Sequence, residues 1–505
     1  MALKRNGRTA QYLISLAVSL AAISAGVSVY WSTPMIPKFH SHEAAIEITQ
    51  EEASWVASLS TPGYVVGSLA SSFVVDRFGR RASIIASAVP MAVGTIILQI
   101  ATKAWMLYMT RLIWGFSTGM FMTVSFIYFV EIADKEIRGK LSVAIRFMFN
   151  FGSFLVVSVG SFVSYTTLNR MLIVLPIGHF VACWFIPETP HFYIKEGKVE
   201  AAEKSLQLLH GCKDQNELQS RLESLRSDVK KQTRRPGTFK ELFTGKQYRR
   251  AIVIVIGIKT TQIMSGSLPI QQYAGLIIQE SHADIPLSAA LISFGAVRFV
   301  AGIISSYLVD KVGRRPLLIV TYICTGVTLI IVGIYFYFQE VVGIDIETSS
   351  PLRYIPFVGV FLSISLSTIG YDSLVYIIPA EIFPINVKSL AITYLNIYGG
   401  LMNFLAVKGF QNMRDWTGLY GVFWYFAAFA LLGGTFSFFM APETKGKSLR
   451  EILIELQGDL YEEPEERKLN GTKGDVQNRG VKESCELTEL ACKNEENNRN
   501  STGDS

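Results

Sequence analysis

Long apolar stretches alternate with short polar loops along most of this chain. Apolar windows long enough to cross roughly 30 Å of hydrocarbon as helices begin near residues 11, 53, 82, 105, 141 and 170. A second set begins near residues 250, 286, 316, 354, 389 and 418. The pattern therefore predicts an all-α membrane protein with about twelve transmembrane helices, six on each side of a long polar stretch.

The polar stretch and the end of the chain are different in character. Apolar residues such as Leu206, Leu209, Leu218 and Leu222 recur at helical spacing in the stretch and predict short amphipathic helices. Beyond about residue 458 the sequence is rich in Glu, Lys, Asn and Gly, which predicts disorder. The expected divisions are an N-terminus at 1–10, helices at 11–186, a polar loop at 187–249, helices at 250–441 and a tail at 442–505.

Composition agrees with a membrane protein and sets its orientation. Of 505 residues, 50% are hydrophobic and only 17% are charged, and the mean hydropathy is +0.32. Lys and Arg crowd the short loops at 77–81, 135–140 and 311–315. The positive-inside rule places these loops and both chain ends in the cytoplasm. The net charge of +6 expresses that bias, so nucleic acid is not an expected partner.

Catalytic and metal-binding patterns are not evident. The five Cys and six His residues show no metal-ligand spacing. No nucleophile, base and orienting group stand at recognisable spacing. We therefore expect no enzyme activity, no metal and no cofactor.

Three motif pairs occur in the same order in the two sets of apolar stretches. They are DRFGRR at 76–81 with DKVGRR at 310–315, Glu131 and Arg138 with Glu381 and Lys388, and PETP at 187–190 with PETKG at 442–446. The first pair is separated by about 234 residues, and each Glu precedes its cation by seven. Such duplication indicates a transporter built from two related halves.

These motifs resemble the sugar porter branch of the major facilitator superfamily, and the resemblance covers roughly residues 10–450. Within that branch, YWSTP at 30–34 and VKSLA at 387–391 look like the insect facilitated trehalose and hexose transporters. The resemblance implies twelve helices in two six-helix bundles around a central cavity. That cavity would open alternately to each side of the membrane.

The duplicated charges fit a latch that holds the cytoplasmic helix ends together while the outer side is open. Glu131 and Glu381 can accept paired bonds from guanidinium groups, and Arg111 matches the family pattern of a gating arginine. The expected latch residues are Asp76, Arg80, Arg81, Arg111, Glu131, Arg138, Asp310, Arg314, Arg315, Glu381 and Lys388. The alternative is that these charges only obey the positive-inside rule and anchor the helices.

The expected solute contacts depart from the family pattern. Sugar porters use neutral amides and aromatics, because each sugar hydroxyl both donates and accepts. Arg146 and Arg298 stand where glutamines are usual, and the tenth span has no Gly-Pro-x-Pro-Trp run. The candidate solute contacts are Arg146, Gln262, Ser265, Gln272, Tyr273, Arg298, Asp372 and Tyr376.

Four charged residues, Arg146, Lys259, Arg298 and Asp372, lie well inside apolar spans. Each costs roughly 2.5 to 3.5 kcal/mol on insertion scales, so they are not expected to face lipid. Three interpretations stay open. The arginines contact an anionic or zwitterionic solute, Asp372 couples transport to a proton, or the charges form a structural cluster. In that cluster Asp372 neutralises one arginine and Lys259 extends to the interface.

We therefore expect a transporter that moves a small polar organic solute by alternating access, with sugars or polyols as the leading class. An anionic or zwitterionic solute is the alternative substrate, and a non-transporting membrane sensor is the rival from another class. The expected location is the plasma membrane. Apart from the solute and the lipid bilayer, no obligate protein partner is expected.

Overall fold

The computed structural model describes residues 7–40, 46–133, 138–211, 215–234, 239–245, 248–343, 351–383, 385–447 and 449–457. Every regular element in these ranges is helical. The tail beyond residue 458, for which we predict disorder, lies outside the described residues.

The first half of the chain forms six helical spans, several of them interrupted once. Its helices are α1 Gly7–Tyr30, α2 Ser32–His40, α3 Gln50–Ser58, α4 Ser60–Phe78, α5 Arg80–Ala86, α6 Ala88–Gln99, α7 Ala104–Ile132, α8 Arg138–Phe162, α9 Tyr165–Met171 and α10 Val174–Trp184. The spans are α1 with α2, α3 with α4, α5 with α6, α7, α8, and α9 with α10.

Short helices follow in the polar stretch, as its leucine spacing predicts. They are α11 Pro190–Lys195, α12 Val199–His210, α13 Gln215–Arg234 and α14 Phe239–Thr244. Ala202 and Leu206 of α12 pack on Leu218 and Leu222 of α13 in a small core of their own. Gly211 ends α12 in the left-handed conformation, with φ 64°.

The second half repeats the arrangement of the first. Its helices are α15 Arg249–Met264, α16 Ser267–Gln272, α17 Ala274–Glu280, α18 Leu287–Val312, α19 Arg314–Tyr337, α20 Ile355–Ile369, α21 Tyr371–Ile382 and α22 Ile385–Met440, followed by α23 Leu449–Gln457. A π-helical turn, Phe338–Val342, extends α19, and a 3-10 turn, Pro351–Tyr354, precedes α20.

Length and hydropathy identify ten helical segments that can cross a membrane in the described part of the chain. One of them, Leu390–Met440, holds two spans, because Gly418 has φ 74° and ψ 178° and breaks α22. The unit of α3 and α4 is also long enough, although its many small and hydroxylated residues lower its hydropathy. These two additions give the twelve predicted spans.

Helix packing in the first half depends on glycine where α4 crosses α7. A Cβ on Gly63 or Gly67 of α4 would lie 2.2 or 2.0 Å from a backbone oxygen of α7. A Cβ on Gly115 or Gly119 of α7 would lie 2.1 Å from a backbone oxygen of α4. Small residues at four-residue spacing thus bring the two backbones into direct contact, as in other membrane helix pairs.

Within each half short loops join consecutive spans, so the spans alternate in direction, and Arg80 and Arg314 begin the third span of their halves at the same end of the molecule. We call this the latch end and the other the opposite end. At the latch end each half has a separate hydrophobic core, within residues 14–209 for one and 242–456 for the other. At the opposite end a single core includes residues of both halves, such as Trp31 and Phe410. The halves are therefore joined at the opposite end and separate towards the latch end.

Candidate functional site

A cavity of about 290 Å³ lies between the two halves. Four spans of the first half line it, through α1, α4, α7 and α8, and four spans of the second half do so through α15 with α16, α18, α20 with α21, and α22. Its lining runs from Tyr30 and Ser60, near the opposite end, towards the latch end as far as Phe126 and Asn396. The volume is at the lower end of the range of roughly 300 to 1,000 Å³ typical of small-molecule sites.

Three cations reach this cavity. Two of them lie against the Tyr376 ring, with Arg146 Cζ 5.0 Å and Lys259 Nζ 4.6 Å from the ring centroid. Arg298 Cζ lies 4.0 Å from the centroid of Tyr30. Cation–π contact with a tyrosine face is therefore the feature that all three cations share.

Asp372 is the single carboxylate of the described cavity lining. Gln262 Nε2 donates to its Oδ1 at 2.8 Å, and Ser267 Oγ donates to its Oδ2 at 2.6 Å. In the described part of the chain no arginine nitrogen lies within 4.0 Å of its carboxylate oxygens. Neutral donors from α15 and α16 hold Asp372 instead, because the break at Gly370 starts a new helix, α21, beside them.

Lys259 does not extend to the membrane interface, and this part of the cluster interpretation is wrong. Its exposed fraction is 5%, and it lies midway along α15. The absence of a side chain at Gly399 of α22 makes room for it, since a Cβ there would lie 2.4 Å from Lys259 Cε. The lysine is thus built into the cavity wall.

Three of the eight candidate solute contacts do not line the cavity. Ser265 Oγ donates to the Gln262 backbone oxygen at 2.8 Å. Gln272 accepts from Ser32 Oγ and donates to Val29 O at 3.1 Å, so it joins the two halves. Tyr273 stacks on Phe410, with ring centroids 4.4 Å apart.

For Gln272 and Tyr273 the cause of this displacement is a break in the seventh span. Gly266 has φ 81° and separates α15 from α16, so residues beyond it leave the helical register of Gln262. Arg146, Gln262, Arg298, Asp372 and Tyr376 are the candidates that the structure brings together around the cavity.

Amide side chains that the sequence interpretation did not select complete the lining. They are Asn150, Gln271, Asn396 and Asn403. The amide oxygens of Gln262, Gln271 and Asn403 have no hydrogen-bond partner in the structure. The sequence offers one signal for such residues, which is an amide side chain inside an apolar span. Burying an unpaired amide is costly, so a ligand is expected to complete its hydrogen bonds.

At the latch end, the first half joins three of its spans through two carboxylates. Arg80 donates through Nη2 to Glu131 Oε1 at 2.7 Å, and Thr189 Oγ1 donates to Glu131 Oε2 at 2.6 Å. The Glu188 carboxylate accepts the backbone N–H groups of Arg80 and Arg81, both at 3.0 Å. It therefore caps the first turn of α5, where the helix dipole favours an anion.

The second half repeats this arrangement residue for residue. Arg314 Nη2 donates to Glu381 Oε1 at 2.9 Å, and Thr444 Oγ1 donates to Glu381 Oε2 at 2.5 Å. The Glu443 carboxylate accepts the backbone N–H groups of Arg314 and Arg315, both at 3.1 Å. The PET motifs thus supply latch residues that the candidate set lacked, and their recurrence in the sequence was the signal.

Each of these latches lies within one half and is formed while the opposite end is joined. The expectation of a latch that closes when the outer side is open stays a prediction. The pairs tie neighbouring helix ends of one bundle, because Glu131 and Glu188 lie in the same half as Arg80.

The remaining latch candidates are peripheral. Lys195 Nζ pairs with Asp76 Oδ1 at 2.7 Å, and Arg314 Nη2 lies 3.3 Å from Asp310 Oδ1, but the two aspartates are 64% and 79% exposed. Such exposed pairs contribute little stability. Arg81 Nη2 donates to Trp184 O, and Arg315 Nη2 to Phe438 O. Lys388 is partly buried, and the side chain of Arg138 lies outside the described residues.

Arg111 does not lie with the latch. It stands near the start of α7, whereas Glu131 is at the other end of the same helix, roughly 30 Å away at 1.5 Å per residue. Its side chain is fully buried and donates to Val56 O at 2.8 Å, Ser60 Oγ at 3.0 Å and Ser28 O. Further bonds go to Val29 O, Ser32 Oγ and Ala57 O. It therefore joins the first, second and fourth spans near the opposite end.

The two capping carboxylates at the latch end differ in their electrostatics. Burial raises the pKa of Glu188 above its ordinary value of 4.5, against the lowering effect of backbone donors and Arg80. Burial also raises the pKa of Glu443, but the N–H groups of Lys445, Arg314 and Arg315 outweigh it and leave the pKa below 4.5. The two halves are thus alike in geometry and unlike in their response to protons.

Two sets of six spans around one cavity with charged and amide side chains in its wall define a multi-pass membrane transporter. The chain belongs to the Sugar (and other) transporter family, which matches residues 22–456. In the described part of the chain, no three His, Cys, Asp or Glu side chains group together as metal ligands.

Relatives and solved structures agree with this class. The chain is 29% identical to a "Facilitated trehalose transporter Tret1" of Bombyx mori, over 88% of this chain and 86% of the relative. It is 29% identical to the protein of the same name from Drosophila willistoni, over 89% of this chain but only 51% of that relative's length. The fold resembles the major facilitator superfamily proton:xylose symporter XylE, from E. coli, with a TM-score of 0.70 at 19% identity. That likeness covers 89% of this chain and 100% of XylE.

Proposed function

We propose that the protein carries sugars or polyols across a membrane by alternating access, with the cavity between the halves as the solute site. The observation that carries this proposal is the set of amide oxygens of Gln262, Gln271 and Asn403, buried in the cavity wall without partners. Sugar hydroxyls are donors that would complete these bonds. The names of the relatives, which are facilitated trehalose transporters, support the same substrate class.

We further propose that the latch end faces the cytoplasm and that the protein resides in the plasma membrane. The basic loops at 77–81 and 311–315 lie at that end and support this orientation through the positive-inside rule. With this orientation the structure corresponds to an inward-facing state, joined at the outer end. Labelling of epitopes at each terminus in intact and permeabilised cells tests both proposals, and staining of intact cells would contradict the orientation.

Alternating access requires the seam between the halves to open at one end as it closes at the other. Ser32 of the first half donates to Gln272 of the second, and Thr33 Oγ1 donates to Gln271 O at 3.3 Å. These polar contacts near the opposite end can exchange with water at modest cost, since a typical hydrogen bond contributes about 1 kcal/mol net. They suit a seam that has to break in each transport cycle.

Uptake in transport-deficient cells tests the substrate class, with labelled glucose, trehalose and a polyol offered separately. Saturable uptake of at least one is expected, and Gln271→Leu should reduce it at least about tenfold by removing an amide from the site. Gln411→Leu is the matched control, because Gln411 bonds to Asp415 at 2.8 Å and does not line the cavity. Equal loss in both variants would contradict the assignment of the cavity.

A further inference from the structure

The cavity wall has more positive charge than negative charge. Arg146, Lys259 and Arg298 contribute three cations, whereas Asp372 is the one carboxylate in the described lining. Both carboxylate oxygens of Asp372 already accept short bonds from neutral donors, Gln262 and Ser267. In the described residues, therefore, no carboxylate is paired directly with any of the three cations.

The hydrogen-bond capacity of the cations is also largely unused. Arg146 forms no hydrogen bond with another described residue, and Lys259 forms one, with the Tyr376 side chain; both cations lie against the Tyr376 ring. Arg298 hydrogen-bonds to the Tyr30 side chain and has one long bond, from Nη1 to Ser153 Oγ at 3.5 Å. Contact with a tyrosine face attracts a cation but does not neutralise it, so the donors stay available to a ligand.

The positions of the three cations also favour the binding of a small anion. Arg146 and Arg298 come from different halves, on α8 and α18, and Lys259 comes from α15. Like charges that share one cavity repel one another in a medium of low dielectric. A small anion bound among them would relieve that repulsion and would be held by both halves at once.

We infer that the preferred solute is a hydroxylated anion, such as a sugar acid or a sugar phosphate, which the site carries faster than a neutral sugar. This inference rests on the proposed function, since it keeps the same cavity as the solute site. The unpartnered amide oxygens accept hydrogen bonds from the hydroxyl groups of the solute, and the cations bind its carboxylate or phosphate. Arginine and lysine donors form short, charge-assisted bonds to either anion. A neutral sugar leaves the surplus positive charge of the cavity uncompensated.

Uptake by the purified full-length protein in liposomes tests this inference. Labelled gluconate, glucose 6-phosphate and glucose are offered in parallel, at equal concentrations and with the membrane potential clamped at zero. We expect saturable uptake of at least one anion, at least tenfold faster than glucose. Uptake of gluconate alone identifies a carboxylate, and uptake of glucose 6-phosphate alone identifies a phosphate, as the charged group recognised.

Substitution of the cavity cations links that uptake to the site. Arg146→Gln and Arg298→Gln should each lower anion uptake at least tenfold and abolish the rise in Tm that the anion produces in the wild type. Arg250→Gln is the control, because it removes a cation from α15 at a position exposed outside the cavity. The Tm readout detects binding even where a variant folds but does not turn over.

The outcomes separate this inference from the proposal on which it rests. Uptake of glucose without uptake of, or competition by, either anion would overturn the anionic solute and leave sugar transport intact. Failure of all three solutes, together with failure of trehalose and a polyol, would overturn both. Anion uptake that Arg146→Gln and Arg298→Gln leave unchanged would overturn the assigned contacts.

Discussion

At the scale of single residues, Arg111 has the densest set of polar contacts in the first half. Its guanidinium is fully buried and donates to carbonyl and hydroxyl oxygens from α1, α2, α3 and α4. Five donors in a fixed plane match this set of acceptors, whereas a lysine ammonium has three donors at a single point.

We expect Arg111→Lys to destabilise the protein by at least about 3 kcal/mol, because several buried carbonyls lose a charged donor. The free energy of unfolding, or Tm in detergent, is the measurement. Arg170→Lys is the matched control, because Arg170 is exposed at the end of α9. A loss of stability of equal size in both variants would show that the contacts of Arg111 are not the cause.

Residue spacing in the sequence was enough to bring five of the eight candidate contacts to the cavity but could not orient the rest. Arg146 and Arg298 lie in uninterrupted helices, where register carries over many residues. Tyr273 lies beyond Gly266, and the turn there depends on one backbone angle that the sequence does not reveal. The periodicity of a sequence predicts which way a side chain points only as far as the helix stays regular.

At the scale of elements, the contact of α4 with α7 depends on four glycines. We expect Gly67→Ala to destabilise the protein by roughly 1 to 3 kcal/mol, since its Cβ would lie 2.0 Å from Phe116 O. Gly178→Ala is the control, because a Cβ there meets nothing within 4 Å, and it should keep or raise stability. Tm measured in the same detergent for both variants decides between a packing effect and a general effect of alanine.

The two capping carboxylates give the latches an opposite dependence on pH. The pKa of Glu443 is below its ordinary value of 4.5, so its stabilising effect is present above pH 4.5 and is lost as the pH falls below that value. The pKa of Glu188 is above 4.5, so its effect is present at low pH and is lost as the pH rises through the raised pKa.

Variants that mimic the protonated acids test this difference. We expect the Tm of the wild type minus that of Glu443→Gln to increase with pH across 4.5, and the same difference for Glu188→Gln to decrease. Thermal unfolding in detergent at several pH values from acid to neutral provides the measurement. Slopes of the same sign in the two series would contradict the assigned shifts.

At the scale of the whole molecule, the sequence predicted the number of spans and the division into two halves. It did not predict how the two halves are placed relative to each other. Twelve spans follow from apolar length, because the thickness of the bilayer fixes how long a helix has to be. Which end of the seam is joined depends on contacts between residues far apart in the chain, such as Lys408 and Ser54, at 2.7 Å. Two conformations of one transporter have the same sequence, so the sequence cannot choose between them.

If the halves move as rigid bodies, a link across the seam should stop transport and a link within one half should not. Ser54 and Lys408 lie on different halves, whereas Ser68 Oγ and Thr123 Oγ1, 2.6 Å apart, lie on neighbouring helices of the first half. We expect a short reversible thiol cross-linker to abolish uptake by Ser54→Cys/Lys408→Cys in a cysteine-free background, and reductant to restore it. The matched pair Ser68→Cys/Thr123→Cys should keep its uptake after cross-linking, because each bundle retains its shape throughout the cycle. Loss of uptake in the matched pair would mean that the first half deforms during transport, and full uptake in the cross-linked seam pair would mean that the seam does not open.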